Sequence, residues 1–443
     1  MAGEWPTVPL SELTSTPPTY GVVQPGQDTA SGSPMLRVNN FQGHSLNLSE
    51  VMRIASEIEA KYGRTRIQTG DVLLTIVGSV GQVAVVPKEL DGWNIARAIA
   101  MIRPNKPELS RWLSLVLRSP QAQYQLGVAA NTTVQTTINL KDLRELRVPM
   151  PDDGEREAIA HILGMLDDKI ELNRSRNQTL EAMTRALFKD WFVDFGPVRA
   201  KMEGRKPYLP NDIWQLFSDR IDDEGKPEGW EMQPLSELLT IIGGGTPKTS
   251  VDEYWGGEIP WFSVVDTPSA SDVFVVATEK NITAQGLAGS SARLVPKGAT
   301  IISARGTVGN LAIAGCEMTF NQSCYGLRGT GSAGDYFVYL TAQQMVDQLK
   351  SMAHGSVFST ITRQTFETIR RPFPPPAVLT AFERLMTGWF DAILSSVEES
   401  RSLAQLHDTL LPKLISGELR IADAKKFMER TRYQAASQTG KMS

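Results

Sequence analysis

Cysteine is scarce in this sequence: Cys316 and Cys324 are the only two among 443 residues. Two thiols supply no disulfide framework, and with four scattered histidines they make no four-ligand zinc site, so buried structural thiols are expected. Long apolar runs are missing too. None approaches the ~20 residues that span a bilayer, and the opening residues have neither a basic start nor an apolar stretch of signal-peptide type. A cytoplasmic protein without membrane contact is expected. Positive charge is not in excess, the formal net charge being −4. That balance does not exclude nucleic acid, because a local basic groove or basic partner chains can supply the attraction.

Motifs of catalysis are equally sparse. No Gly-x-Gly-x-x-Gly follows a strand to hold a dinucleotide or methyl-donor cofactor, and no Asn/Asp-Pro-Pro-aromatic segment of an amino-methyltransferase occurs. Gly243-Gly-Gly-Thr-Pro-Lys-Thr-Ser250 imitates a phosphate loop, but Pro247 stands where the second glycine is needed. Asp212 with Glu224-Gly-Lys226 imitates a nuclease triad without the strand such a site requires. His44, His161, His354 and His407 are isolated from one another. No catalytic residue and no metal site is expected.

What the chain does have is a helical seam and a repeat. Ile159, Ile162, Leu166, Ile170, Leu180, Met183 and Leu187 fall at helical spacing, which predicts one helix from Glu155 to Phe195. Asp152 and Asp153 are N-cap candidates, and Phe195-Gly196-Pro197 is the expected stop. Such a helix is roughly 60 Å long, a spacer more than a core element.

Trp5-Pro-Thr-Val-Pro-Leu-Ser-Glu-Leu13 returns as Trp230-Glu-Met-Gln-Pro-Leu-Ser-Glu-Leu238. Pro34-Met-Leu-Arg-Val38 returns as Pro260-Trp-Phe-Ser-Val264, and Gly70-Asp-Val-Leu-Leu-Thr-Ile-Val-Gly-Ser-Val-Gly81 as Gly298-Ala-Thr-Ile-Ile-Ser-Ala-Arg-Gly-Thr-Val-Gly309. Val134–Ile138 matches Val357–Ile361, and a second long helix is predicted from about Ala377 to Leu411. Offsets stay between 223 and 228 residues, which marks a duplication.

The expected architecture is α+β: two globular mixed α/β domains, at 1–150 and 229–375, separated by two long antiparallel helices, at 151–196 and 376–420. These would form a coiled-coil rod with approximate two-fold symmetry. Residues 197–228 are predicted to be a linker with little core, and 421–443 a frayed tail.

The domains offer polar turns suited to reading a surface. Gly78, Ser79 and Gly81 in the first, and Gly306, Thr307 and Gly309 in the second, give close backbone approach and a hydroxyl, with Arg305 directly before the latter turn. Asn131-Thr-Thr-Val-Gln-Thr-Thr137 and His354-Gly-Ser-Val-Phe-Ser-Thr360 are hydroxyl- and amide-rich at equivalent places. Such side chains hydrogen-bond base edges and phosphates. The candidate DNA-contacting set is therefore Thr75, Gly78, Ser79, Gly81, Arg97, Asn131, Thr133, Thr136, Arg305, Gly306, Thr307, Gly309, Asn321, Gln322, His354 and Ser356.

With these residues in view, the chain resembles the specificity (S) subunit of type I restriction-modification enzymes over essentially its full length. The marks are Gly244-Gly-Thr-Pro247, Tyr254-Trp-Gly-Gly-Glu-Ile-Pro-Trp261, Gly70-Asp-Val-Leu-Leu74 with Gly78-Ser-Val-Gly81, Gly229-Trp230, Glu155-Arg-Glu-Ala-Ile-Ala160 leading to Asp167-Asp-Lys-Ile170, and Asn321-Gln322. The resemblance implies two target recognition domains, each reading one half of a bipartite double-stranded DNA sequence, and conserved spacer helices that set the gap.

It implies partners as well. Two methyltransferase subunits would dock on the helices, with Ile159, Ile162, Leu166, Phe382, Leu385 and Trp389 as docking candidates, and methylate adenine N6 with S-adenosylmethionine. Two motor-nuclease restriction subunits would use ATP and Mg. This chain itself would bind no cofactor and would not be an enzyme.

There are departures: the first half has Ser33-Pro34 for Gly257-Glu-Ile-Pro260, and Asn94-Ile95 where the second has Asn321-Gln322. The stretches Asn39–Tyr62 and Val265–Ala288 differ widely, which predicts an asymmetric target. The competing readings are a protein-binding coiled-coil adaptor and a stand-alone DNA-modifying enzyme.

Overall fold

A computed structural model describes residues 5–43, 45–130, 137–268, 272–352 and 360–421. The chain divides into two compact units, one of residues 1–168 with 403–443 and one of residues 169–402. Two long helices, Asp153–Phe192 and Pro376–Ser416, each begin in one unit and end in the other. The division therefore cuts through both helices instead of falling at their ends. No helix among the described residues is long and apolar enough to cross a membrane.

The first long helix starts as its sequence predicts, with the Asp152 carboxylate accepting the Glu155 N–H at 2.9 Å. Its end does not. The helix stops at Phe192, and Phe195, not Gly196, takes the left-handed conformation, at φ 53°. Burial of the Phe195 ring against Trp230, centroids 5.6 Å apart, offsets that backbone cost. Gly196 then opens a further helix, Gly196–Met202, because proline is tolerated in a first turn. A side chain at Gly196 would collide with the Asp190 carboxylate.

The residues beyond Gly196 correct the expectation of a linker with little core. Val198, Ala200, Ile213, Trp214 and Phe217 are all buried in the second unit. The second long helix also runs beyond Leu411 and through Pro412, and Leu414 and Ile415 in its last turn are buried. Of the expected frayed tail, 421–443, all but Ile421 lies outside the described residues, and the Ile421 N–H is donated to Glu155 Oε1 at 3.0 Å.

In the first unit, Thr7–Pro9 pairs antiparallel with Arg147–Pro149. A four-stranded sheet has the order Thr14–Tyr20, Ile99–Pro104, Val72–Thr75, Val83–Val85. A three-stranded sheet sets Ser33–Leu36 between Met52–Ile54 and, in parallel, Asn94–Ile95. Helix Leu109–Arg118 covers the larger sheet, and Trp112 is buried with its indole N–H donated to Pro149 O at 3.0 Å. Ile159 and Leu163 of the first long helix and Leu410 and Leu414 of the second join the same core. Arg118 forks onto Asp167, at 2.5 and 3.1 Å, beside buried His407.

The second unit repeats this order and adds an edge. Glu231–Pro234 pairs with Arg370–Phe373. Its larger sheet runs Leu239–Gly243, Cys324–Gly329, Thr300–Ser303, Leu311–Ala314, and then Phe274–Val275, which has no counterpart in the first sheet. Trp255–Phe262 lies between Lys280–Ile282 and Thr319–Phe320. Here the long helices run antiparallel: Asn173 Nδ2 donates to Glu399 Oε2 (2.9 Å) and Ser400 Oγ (3.1 Å), while Phe188, Trp191 and Phe192 meet Phe382. Cys324 is buried and its thiol is pushed up to about 12 by that burial; both cysteines are free.

Helix Asp335–Met352 is docked on the second long helix by a carboxyl group. Glu383 accepts the Tyr336 and Phe337 N–H groups, both at 3.0 Å, so a side chain caps the helix from another element. Gly334 permits the approach, since a Cβ there would fall on the Glu383 carboxyl. Burial raises the Glu383 pKa above its ordinary 4.5, and the two N–H bonds only partly oppose the rise. A carboxyl whose folded value exceeds its unfolded value contributes most below the unfolded value and loses stability as pH rises through the folded one. Glu383→Gln is therefore expected to lose less stability than the wild type between mildly acidic and mildly alkaline pH. Urea midpoints at the two pH values measure it, and parallel midpoints would contradict it.

Candidate nucleic-acid interface

Both units build one turn by the same hydrogen bonds. In the first, Thr75 ends a sheet strand; its hydroxyl donates to Ser79 O at 2.5 Å and accepts the Gln82 N–H at 2.9 Å, while Gly81 N–H returns to Thr75 O at 2.9 Å. In the second, the Ser303 hydroxyl donates to Thr307 O at 2.5 Å and accepts the Asn310 N–H at 2.8 Å, and Gly309 N–H returns to Ser303 O at 2.9 Å. Gly78 and Gly81, and Gly306 and Gly309, all have positive φ, between 76° and 93°, which is why the turn demands glycine there.

Thr75 is thereby corrected. It is fully buried and shapes the turn instead of touching a ligand, as does its counterpart Ser303. Gly309 is buried as well, whereas Gly78, Ser79, Gly306 and Thr307 are exposed. Ser303→Ala removes one acceptor and one donor inside the turn, for an expected cost of ~1–3 kcal/mol. Recognition by the second unit alone should weaken, which duplexes altered in one half-site at a time would measure.

Each turn is flanked by the segment after the polar loop. Val77 bridges Thr137, and Arg305 bridges Thr360. Asn131, Thr133, Thr136, His354 and Ser356 lie outside the described residues. In the first unit the turn borders a concavity of about 370 Å³ lined by Tyr20, Val23, Val77, Arg97, Thr137 and Asn139. Arg97 is exposed, and its guanidinium makes no ion pair or side-chain hydrogen bond among the described residues. The same holds for Arg305.

The expected pairing of Asn94-Ile95 with Asn321-Gln322 shifts by two residues. Ala96 N–H donates to Leu36 O as Asn321 N–H donates to Phe262 O, both at 2.9 Å. Met35 pairs with Asn94 as Trp261 pairs with Thr319. Asn321 is thus the counterpart of Ala96, and Gln322 of Arg97. Asn321 is half-buried and its side-chain oxygen accepts the Ser323 N–H at 3.0 Å, a local turn role; Gln322 is exposed and accepts the Thr246 hydroxyl.

The imitations of catalytic motifs resolve in the same way. Gly244 and Gly245 leave no room for a Cβ against Asn321 and Ser291, so these glycines serve close packing. Asp212 faces Arg384 while Lys226 pairs with Asp222 and Glu224, and no group of metal-ligating side chains occurs among the described residues.

Likeness to known proteins spans both halves. The model of the type I restriction modification DNA specificity domain matches twice, at residues 7–182 and 227–378. The chain belongs to that family. It is 29% identical over 402 residues to the HindI specificity subunit of Haemophilus influenzae, covering 80% of this chain and 87% of that one. It is 33% identical over 195 residues to the EcoBI specificity subunit of Escherichia coli, 41% of each chain. A crystal structure of a type I S subunit from M. genitalium aligns with TM-score 0.54 at 15% identity, over 93% of this chain and 96% of that one, and so shares the fold. Within its family the chain is a specificity component.

The helical residues expected to dock subunits divide by burial. Ile159 and Phe382 have no exposed surface and pack the cores of their own units, and Ile162 is only 6% exposed, so these three offer little to a partner. Leu166, Leu385 and Trp389 are half-buried against the same cores. Sequence reasoning missed Gln123, whose Nε2 donates to Gly81 O (2.8 Å) and Leu117 O (2.7 Å) and ties the turn to helix Pro120–Ala130. At 42 residues from Gly81, a glutamine in a helix carries no sequence signal for that role. Tyr20, 45% exposed at the rim of the concavity, was missed as well.

Proposed function

We propose that this chain supplies sequence specificity to a type I restriction-modification complex, each unit reading one half of a bipartite, asymmetric DNA target. One observation carries the reading: the same glycine turn is built twice by the same hydrogen bonds and surrounded by different side chains. A duplicated frame with divergent contacts is what two different half-sites require. The long helices set the gap between the half-sites, and binding the second becomes intramolecular once the first is held.

In this reading two methyltransferase subunits dock on the helices and methylate adenine N6 with S-adenosylmethionine, and two restriction subunits add ATP- and Mg-dependent translocation and cleavage. With Ile159, Ile162 and Phe382 turned inward, docking falls to outward side chains. Leu172 and Met183 in the second unit, 63% and 44% exposed and about three helical turns apart, share such a face.

The test is a genome-wide map of methylated adenines in the native strain with and without this gene. Loss of one two-part, gapped motif is expected. An unchanged map, in cells where the chain and its methyltransferase subunits are both made, would refute the reading.

A further inference from the structure

The two interfaces share a frame but not a charge pattern. Backbone pairing makes Val77 the counterpart of Arg305, since both follow the turn-shaping hydroxyl by two residues and both bridge the segment after the polar loop. It makes Arg97 the counterpart of Gln322. Each unit therefore presents beside its turn one exposed guanidinium without a partner among the described residues, from position 97 in the first and position 305 in the second. The alternative position in each is uncharged: Val77 in the first unit and Gln322, held by Thr246, in the second.

The setting of Arg97 distinguishes a base contact from a phosphate contact. It lies in a concavity with Tyr20, Val23, Ile76 and Val77, an aromatic and apolar lining that fits base edges and the thymine methyl better than a charged backbone. Thr137 and Asn139 add hydrogen-bonding groups to the same wall. A planar fork of donors with no internal partner matches the paired O6 and N7 acceptors of guanine in the major groove.

Resting on the function proposed above, we propose that Arg97 reads a guanine in the first half-site and Arg305 a guanine in the second. Because the two arginines occupy non-equivalent positions of one frame, the two guanines fall at different places within their half-sites. The exchange of a cation between two framework positions is then one source of the target's asymmetry.

The experiment reconstitutes the full chain with its methyltransferase subunits and compares the methylated motif and duplex affinities for wild type, Arg97→Gln, Arg97→Lys and Arg305→Gln. For both Arg97 variants, one guanine of the first half-site should become degenerate, with discrimination against other bases falling about 10- to 100-fold. The gap and the second half-site should persist, which also shows that the chain is folded. Arg305→Gln should give the mirror result.

A motif unchanged in all variants overturns the proposal. So does a uniform loss of affinity across all duplexes, relieved by Arg97→Lys, which is the signature of a phosphate contact. A wild-type complex that methylates no gapped motif would instead overturn the function on which the proposal rests.

Discussion

Inserting four residues into each long helix, between Asp168 and Lys169 and between Ser402 and Leu403, is expected to lengthen the gap of the target by one or two base pairs. Both half-sites should stay unchanged. These two points are where the chain divides between its units, so neither insertion separates contacting side chains within a unit. The Arg118–Asp167 fork stays intact on one side, and the Asn173 bonds to Glu399 and Ser400 on the other. Four residues extend a helix by ~6 Å, and a base pair occupies ~3.4 Å of duplex. They also turn the helix by roughly 40° relative to its previous face, close enough to a full turn for the seam to continue. Motif mapping with the reconstituted complex reads the gap directly. An unchanged gap would remove the spacer role from these helices. The same insertion in one helix alone should weaken assembly, since its partner would then be short of one turn.

Phe382→Ala is expected to destabilise the second unit strongly while leaving the first unaffected. The ring has no exposed surface and sits among Phe192, Trp191, Phe188 and Phe337 at centroid distances of 4.8, 5.5, 6.0 and 6.1 Å. Truncating a buried phenylalanine costs ~3–5 kcal/mol in lost transfer energy and residual cavity. A domain of ordinary stability holds only ~5–15 kcal/mol. The unfolding temperature of that unit should drop by roughly 10 °C or more. Hydrogen exchange resolves the location: amides within 169–402 should lose protection while those of the sheet around Leu73 and Ile102 keep theirs. Equal loss in both would show that the two units do not unfold separately. Phe382→Leu, which leaves a smaller void, should lie between the two.

Much of the fold was legible because it is local or periodic. The duplication showed in short blocks that carry turns and buried strands, and Gly78, Gly81, Gly306 and Gly309 stood out because positive φ leaves almost no other residue. Misplacements fell where a role depends on a distant partner. Thr75 reads like a ligand-facing hydroxyl until Ser79 and Gln82 are seen to use it. Ile159 and Phe382 read as docking residues because a helical seam looks alike whether its own chain or a partner covers it.

Arg103 and Arg328 show the same limit in their ion pairs. They hold equivalent strand positions, yet one pairs with Asp71, just before the neighbouring strand, and the other with Asp335 at a helix start. By itself, then, the sequence determined the repeat, the two long helices, the glycine turns and the family, since each rests on spacing, backbone geometry or residue identity along the chain. The tertiary structure decided which hydroxyls are used inside the turns, which apolar side chains are already covered, and that Arg97 is the counterpart of Gln322. Those depend on strand register and on packing between residues far apart in the chain, and a buried hydrogen bond or a filled core is a property of both partners.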